Sequence, residues 1–81
     1  MEDWIKKSEP KFRYMMLDRL RQDCTYYLGY GNKSANILWA GDEKRQIETM
    51  RDIWNSFRDW EKPEWLTMED INDYAKRMGV E

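Results

Sequence analysis

Start and stop signals cut this chain into three helix-length segments and leave little outside them. Apolar side chains recur at helical spacing from Phe12 to Leu28, and the run meets Gly29-Tyr30-Gly31-Asn32. The same spacing returns from Asp42 to Trp60, bounded by Gly41 and Lys62-Pro63, and again from Thr67 to Met78 ahead of Gly79. Period-two alternation of the strand type is absent, so the expected fold class is all-α. The expected architecture is one helical domain over residues 1–81, a small bundle of three principal helices at 12–28, 42–60 and 67–78. Residues 1–11 form an N-terminal segment outside these helices, and one additional short helix has room between the first two, at residues 34–40.

In the first segment Phe12, Met16, Leu20, Cys24 and Tyr27 share a face that Leu17 and Leu28 widen. Gly29, which lacks a Cβ, is expected to close the helix in the left-handed conformation, and Gly31-Asn32 to reverse the chain. Residues 34–40 include Ile37, Leu38 and Trp39 and fit either a short helix or an apolar loop tucked into the core. In the second segment Ile47, Met50, Trp54 and Phe57 form an arc with Ile53 and Trp60 at its edge, opposite Lys44, Glu48, Arg51, Asp52 and Asn55. Asp42 suits the N-cap, and Pro63 pushes its predecessor out of the helical region. Thr67 and Asp70 stand at the spacing of a capping box, flanked by Leu66 and Ile71 at the positions of a hydrophobic staple. Ile71, Tyr74, Ala75 and Met78 then face inward, so Leu20, Trp54 and Ile71 are expected to meet at the centre.

A domain this small buries only about 60% of its unfolded surface, so its stability rests on a few large side chains. Aromatic residues make up 15% of the chain, which reads most simply as compensation for a small core.

The missing residue types exclude much chemistry. There is no histidine and only one cysteine, so neither a nitrogen-and-sulfur zinc site nor a Ser-His or Cys-His nucleophile pair can be assembled within one chain. Gly29-x-Gly31 is too short for a dinucleotide fingerprint and follows a helix instead of a strand. Glu69, Asp70 and Asp73 spread around one turn as a solvated face. Cys24 falls in the apolar arc, where a buried inert thiol is expected. The expectation is therefore a non-enzymatic protein with no catalytic residue, cofactor or metal. A lone cysteine and the lack of an apolar run of membrane-spanning length point to the cytoplasm and to no membrane role. Asn32-Lys33-Ser34 matches a glycosylation acceptor only formally, since nothing else speaks for secretion.

Two features remain as functional signals. Residues 1–40 carry seven Lys or Arg against five Asp or Glu, and residues 41–81 seven against eleven, within a net charge of -2. Lys6, Lys7, Lys11, Arg13, Arg19 and Arg21 make the N-terminal part locally basic, yet no recognisable reading helix accompanies them. The second feature is a stripe on the back of the first helix, Met15, Arg19, Gln22 and Tyr26 with Tyr14 nearby. These residue types are enriched at contact surfaces, which makes the stripe the candidate partner contact. The competing reading packs Met15 and Tyr26 under the N-terminal segment with Trp4 and Ile5.

The runs Asp23-Cys24-Thr25-Tyr26-Tyr27-Leu28-Gly29-Tyr30-Gly31, Leu38-Trp39-Ala40-Gly41-Asp42, Ile47-x-x-Met50 and Lys62-Pro63-Glu64-Trp65-Leu66-Thr67 resemble, in order and spacing, the eleventh type of large polyvalent-protein-associated domain. The resemblance spans Phe12 to Met78. It implies a small helical module of bacteriophages and other mobile elements, alone or embedded in long multidomain proteins thought to act on entry into a new host, and it brings no defined activity. The expected function is a protein-interaction module whose partner is a host or mobile-element protein. The alternative is a nucleic-acid-associated module using the basic N-terminal half, with stacking from Tyr14, Tyr26 or Tyr30.

Overall fold

Each of the three long helices begins where the sequence frees it from the cost of orphaned N–H groups. In a computed structural model of the chain, residues 3–29 and 34–80 are described. They form α1 (Asp3–Lys7), α2 (Pro10–Gly29), α3 (Glu43–Ser56) and α4 (Met68–Arg77), with single turns of 3-10 helix at Ala35–Ile37 and Asp59–Glu61. No strand occurs among the described residues, and the all-α class holds.

The first principal helix starts at Pro10, two residues before the expected Phe12. Proline at the first helical position forfeits nothing, because its missing N–H would have been an orphan there. The Glu9 carbonyl accepts from the Arg13 N–H at 3.1 Å. At the other end Gly29 remains in helical geometry, which corrects the expectation that it closes the helix in the left-handed region. Among the described residues, positive φ belongs to Gly41 (71°) and Gly79 (81°). The expected reversal at Gly31-Asn32 lies outside the described residues.

α3 is capped by Asp42, whose carboxylate accepts from the Arg45 N–H at 2.9 Å. It ends at Ser56, not at residue 60 as expected. A residue far away in sequence holds this end. Arg13 on α2 donates to the Ser56 carbonyl at 3.0 Å and to its hydroxyl at 2.8 Å, and lies 5.0 Å from the centroid of the Phe57 ring. Phe57 turns extended (φ -81°, ψ 145°), so its ring enters the core and stacks on Tyr14 at 4.4 Å. Trp60, expected at the edge of the buried arc, is consequently 78% exposed beneath Arg58.

α4 follows its sequence signals closely. The Thr67 hydroxyl accepts from the Asp70 N–H at 3.1 Å, and the Asp70 carboxylate accepts from the Thr67 N–H at 3.0 Å. Leu66 and Ile71, the staple pair, are both buried. Beyond Met78, Gly79 takes the left-handed conformation. Val80 N–H reaches the Ala75 carbonyl at 2.8 Å and Gly79 N–H the Lys76 carbonyl at 3.2 Å, the paired bonds of a Schellman closure.

The core joins Leu17, Leu20 and Cys24 of α2 to Ile47, Met50 and Ile53 of α3 and to Ile71 and Ala75 of α4. Leu38 also enters it, although the adjacent Trp39 does not. Trp54 is not at the centre as expected. It is half-buried, donates through its indole N–H to the Leu66 carbonyl at 3.0 Å, and leaves the central place to Ile53. Two polar side chains share the interior. Gln46 donates to the Leu20 carbonyl at 3.3 Å and accepts from the Ala40 N–H at 3.0 Å, tying α2 to the turn that precedes α3. Thr49 returns its hydroxyl to the Arg45 carbonyl at 2.8 Å. The N-terminal segment also joins: Ile5 of α1 is completely buried in the same core.

Candidate interaction surfaces

Four of the five candidate contact residues lie together on the outer side of α2. Met15 and Tyr26 are 62% and 51% exposed, and Arg19 and Gln22 between them are exposed too. At 1.5 Å per residue the stripe is roughly 16 Å long. Asp18 organises its flank: it accepts from Gln22 at 2.7 Å and from Arg21 at 2.5 Å, and Arg21 in turn lies 5.8 Å from the Trp65 ring. A shallow hollow of about 230 Å³, lined by Arg21, Gln22, Thr25 and Tyr26, adjoins the stripe.

Tyr14 does not belong with them. Its ring stacks on Phe57 and its hydroxyl donates to the Glu61 carbonyl, so it supports the turn after α3. Nor does the N-terminal segment cover Met15 and Tyr26, as the competing reading had it. α1 docks elsewhere: Trp4 meets Phe12 edge-on at 6.4 Å and Trp39 at 5.8 Å.

That docking creates a second surface which sequence reasoning missed. Trp4, Ser8, Phe12, Met16, Trp39 and Arg45 line an open groove of about 530 Å³. Phe12 was expected in the core, but it is 46% exposed here, and Trp39 is 43% exposed. The Trp39 backbone N–H is held by the Asp23 carboxylate at 3.0 Å, which fixes the ring over α1. The legible signal was the four-residue spacing Trp4, Ser8, Phe12, Met16. It continues across the break between α1 and α2, so it resembles a single helix face while belonging to two elements.

The basic N-terminal set is divided by the fold. Lys6, Lys7, Lys11 and Arg19 are exposed, whereas Arg13 is bound to Ser56 and Arg21 to Asp18. Tyr30, one of the rings expected to stack on bases, lies outside the described residues. Cys24 is completely buried, its sulfur 3.6 Å from that of Met50. Burial pushes its pKa up to about 12, with the Asp23 charge adding to the shift. It is therefore no thiolate nucleophile at neutral pH. Among the described residues no group of three or more Cys, Asp or Glu side chains could hold a metal ion. No described helix is long and apolar enough to cross a membrane.

One family model, that of large polyvalent protein-associated domain 11, matches residues 10–78, from the first residue of α2 to the C-cap of α4. No curated protein and no solved structure matches the chain.

Proposed function

This chain belongs to the large polyvalent protein-associated domain 11 family, and on that premise we propose that it is a non-enzymatic protein-interaction module of a phage or other mobile element. It works in the host cytoplasm and docks on a host or element protein through the outer stripe of α2. The observation that carries this reading is the exposure of Met15 and Tyr26 on either side of Arg19 and Gln22, on a helix whose other side buries Leu17, Leu20, Cys24 and Tyr27 in the core. Met, Tyr and Arg make efficient contacts because they bring large area or planar hydrogen bonding at modest entropic cost. The absence of histidine and the buried thiol of Cys24 support the non-enzymatic part of the reading.

The test is capture of a defined protein from host lysate by the purified domain, compared with the Arg19→Glu, Tyr26→Ala double variant. That variant removes an anchor and inserts a repulsive charge without touching the core. Binding that disappears at an unchanged melting temperature is the expected result, and chelator or thiol reagent should change nothing. Identical capture by both proteins removes the stripe from the proposal. Salt-dependent retention on DNA or RNA, weakened by Arg19→Glu, would replace a protein partner with a nucleic acid.

A further inference from the structure

We propose that two copies of this chain exchange α1, each placing Ile5 in the core of the other, and that Pro10 holds the balance toward the closed monomer. The inference goes beyond the interaction reading and is independent of the α2 stripe.

The site that α1 fills defines its own ligand. α1 packs against α3, with Ile5 completely excluded from solvent and the Trp4 ring 6.4 Å from Phe12 and 5.8 Å from Trp39. Lys6 and Lys7, at its end, are exposed. This short helix therefore docks mainly through two adjacent side chains. The acceptor belongs to the rest of the chain: the family match runs over residues 10–78, so α1 lies outside the matched module while Phe12, Trp39 and the core face of α3 lie inside it. The identical segment of a second copy makes the same contacts with the same fit, which is why exchange of an element is a low-cost route to a dimer.

The connection between α1 and α2 is suited to such an exchange. Only Ser8 and Glu9 separate the two helices, and short hinges favour swapping. The Ser8 N–H closes α1 on the Trp4 carbonyl at 3.0 Å, and the Arg13 N–H opens α2 on the Glu9 carbonyl at 3.1 Å. Trp4, Ser8, Phe12 and Met16 stand four apart across the break, so a straightened connection would merge the two elements into one helix with these side chains along one face. That helix carries α1 away from its own core and leaves there the site that the other copy's α1 fits. Pro10 opposes the straightening. It lacks the N–H that would bond to the Lys6 carbonyl, its ring crowds that carbonyl, and it pushes Glu9 out of the helical region. The chain thus encodes a closed arrangement kept by Pro10 and an open one supported by helical spacing.

The test is sedimentation equilibrium of the full chain across a range of concentrations. A tethered α1 competes at an effective concentration of about a millimolar, so wild-type dimer should appear only as the protein approaches that level. Pro10→Ala, an exposed change at the first residue of α2, should dimerise at least about tenfold more tightly. Adding Ile5→Ala to Pro10→Ala should return the monomer. Adding Arg19→Glu and Tyr26→Ala to Pro10→Ala should leave the dimer intact, which separates exchange from association through the stripe. In a Pro10→Ala dimer assembled from isotope-labelled and unlabelled chains, filtered nuclear magnetic resonance should place the Ile5 methyls of one copy against α3 of the other. A Pro10→Ala protein that stays monomeric, a dimer that survives Ile5→Ala, or Ile5 contacts confined within one chain overturns the proposal.

Discussion

Ile71 and Ile5 are both completely excluded from solvent, yet the helices that carry them are maintained by different means. α4 has ten residues, a reciprocal capping box at its start and a Schellman closure at its end, so the backbone groups at both ends are satisfied by residues close in sequence. α1 has five residues, fewer than an isolated helix needs to persist in water. It exists because Ile5 enters the shared core and Trp4 meets Phe12 and Trp39. One helix satisfies its own ends, whereas the other depends on its contacts for everything. The difference matters for function, because the aromatic groove depends on the second kind of element.

Truncation at the two isoleucines tests this contrast first. Ile71→Ala should cost about 3 kcal/mol, the usual scale for a fully buried aliphatic, and lower the melting temperature of the whole domain. Ile5→Ala removes the same side chain, but α1 can undock without unfolding the rest, so its global cost should be smaller, about 1 to 2 kcal/mol. Hydrogen exchange distinguishes the two outcomes: amides of α1 should lose protection while those of α4 keep theirs. A global loss as large as that of Ile71→Ala would place α1 in the same cooperative unit.

Caps give the next smaller effect. Thr67→Ala should cost about 1 kcal/mol by chemical denaturation, through loss of the hydroxyl that accepts from Asp70. Trp60→Ala should fall within about 0.5 kcal/mol of wild type despite the size of the ring, since it is an exposed side chain beside Arg58.

Cys24 yields the smallest effect at neutral pH. Its thiol should resist alkylation in the native protein, and stability should be insensitive to its ionisation there. Because burial raises its pKa to about 12, the folded state holds the thiol proton that the unfolded chain releases from about pH 9. Its contribution is therefore complete below that pH and is lost as pH rises toward 12. A Cys24→Ala variant should show a shallower alkaline decline in melting temperature than wild type. Equal slopes would mean that the thiol does not contribute to the decline.

Legibility in the sequence followed the same division. The cap at Asp42, the box at Thr67 and Asp70, the staple at Leu66 and Ile71, and the closure at Gly79 were all readable, because each spans about three to five residues. Leu17, Leu20, Cys24, Ile47 and Met50 were readable as core from periodicity alone. The outer stripe was legible for Met15, Arg19, Gln22 and Tyr26. It failed for Tyr14, whose helical position does not reveal that Phe57 will stack on it. The groove was missed for a related reason, since helical spacing had assigned Phe12 to the interior.

The sequence by itself determined the helical class, the segment count and most helix ends, since these depend on backbone hydrogen bonds and side-chain periodicity within a few residues. Tertiary structure alone decided that α3 ends at Ser56, that Ile53 and not Trp54 takes the centre, and that α1 docks to shape an aromatic groove. Each of those outcomes depends on groups far apart in the chain. Arg13 meets Ser56 across 43 positions, and no pattern within a few residues of either one encodes that contact.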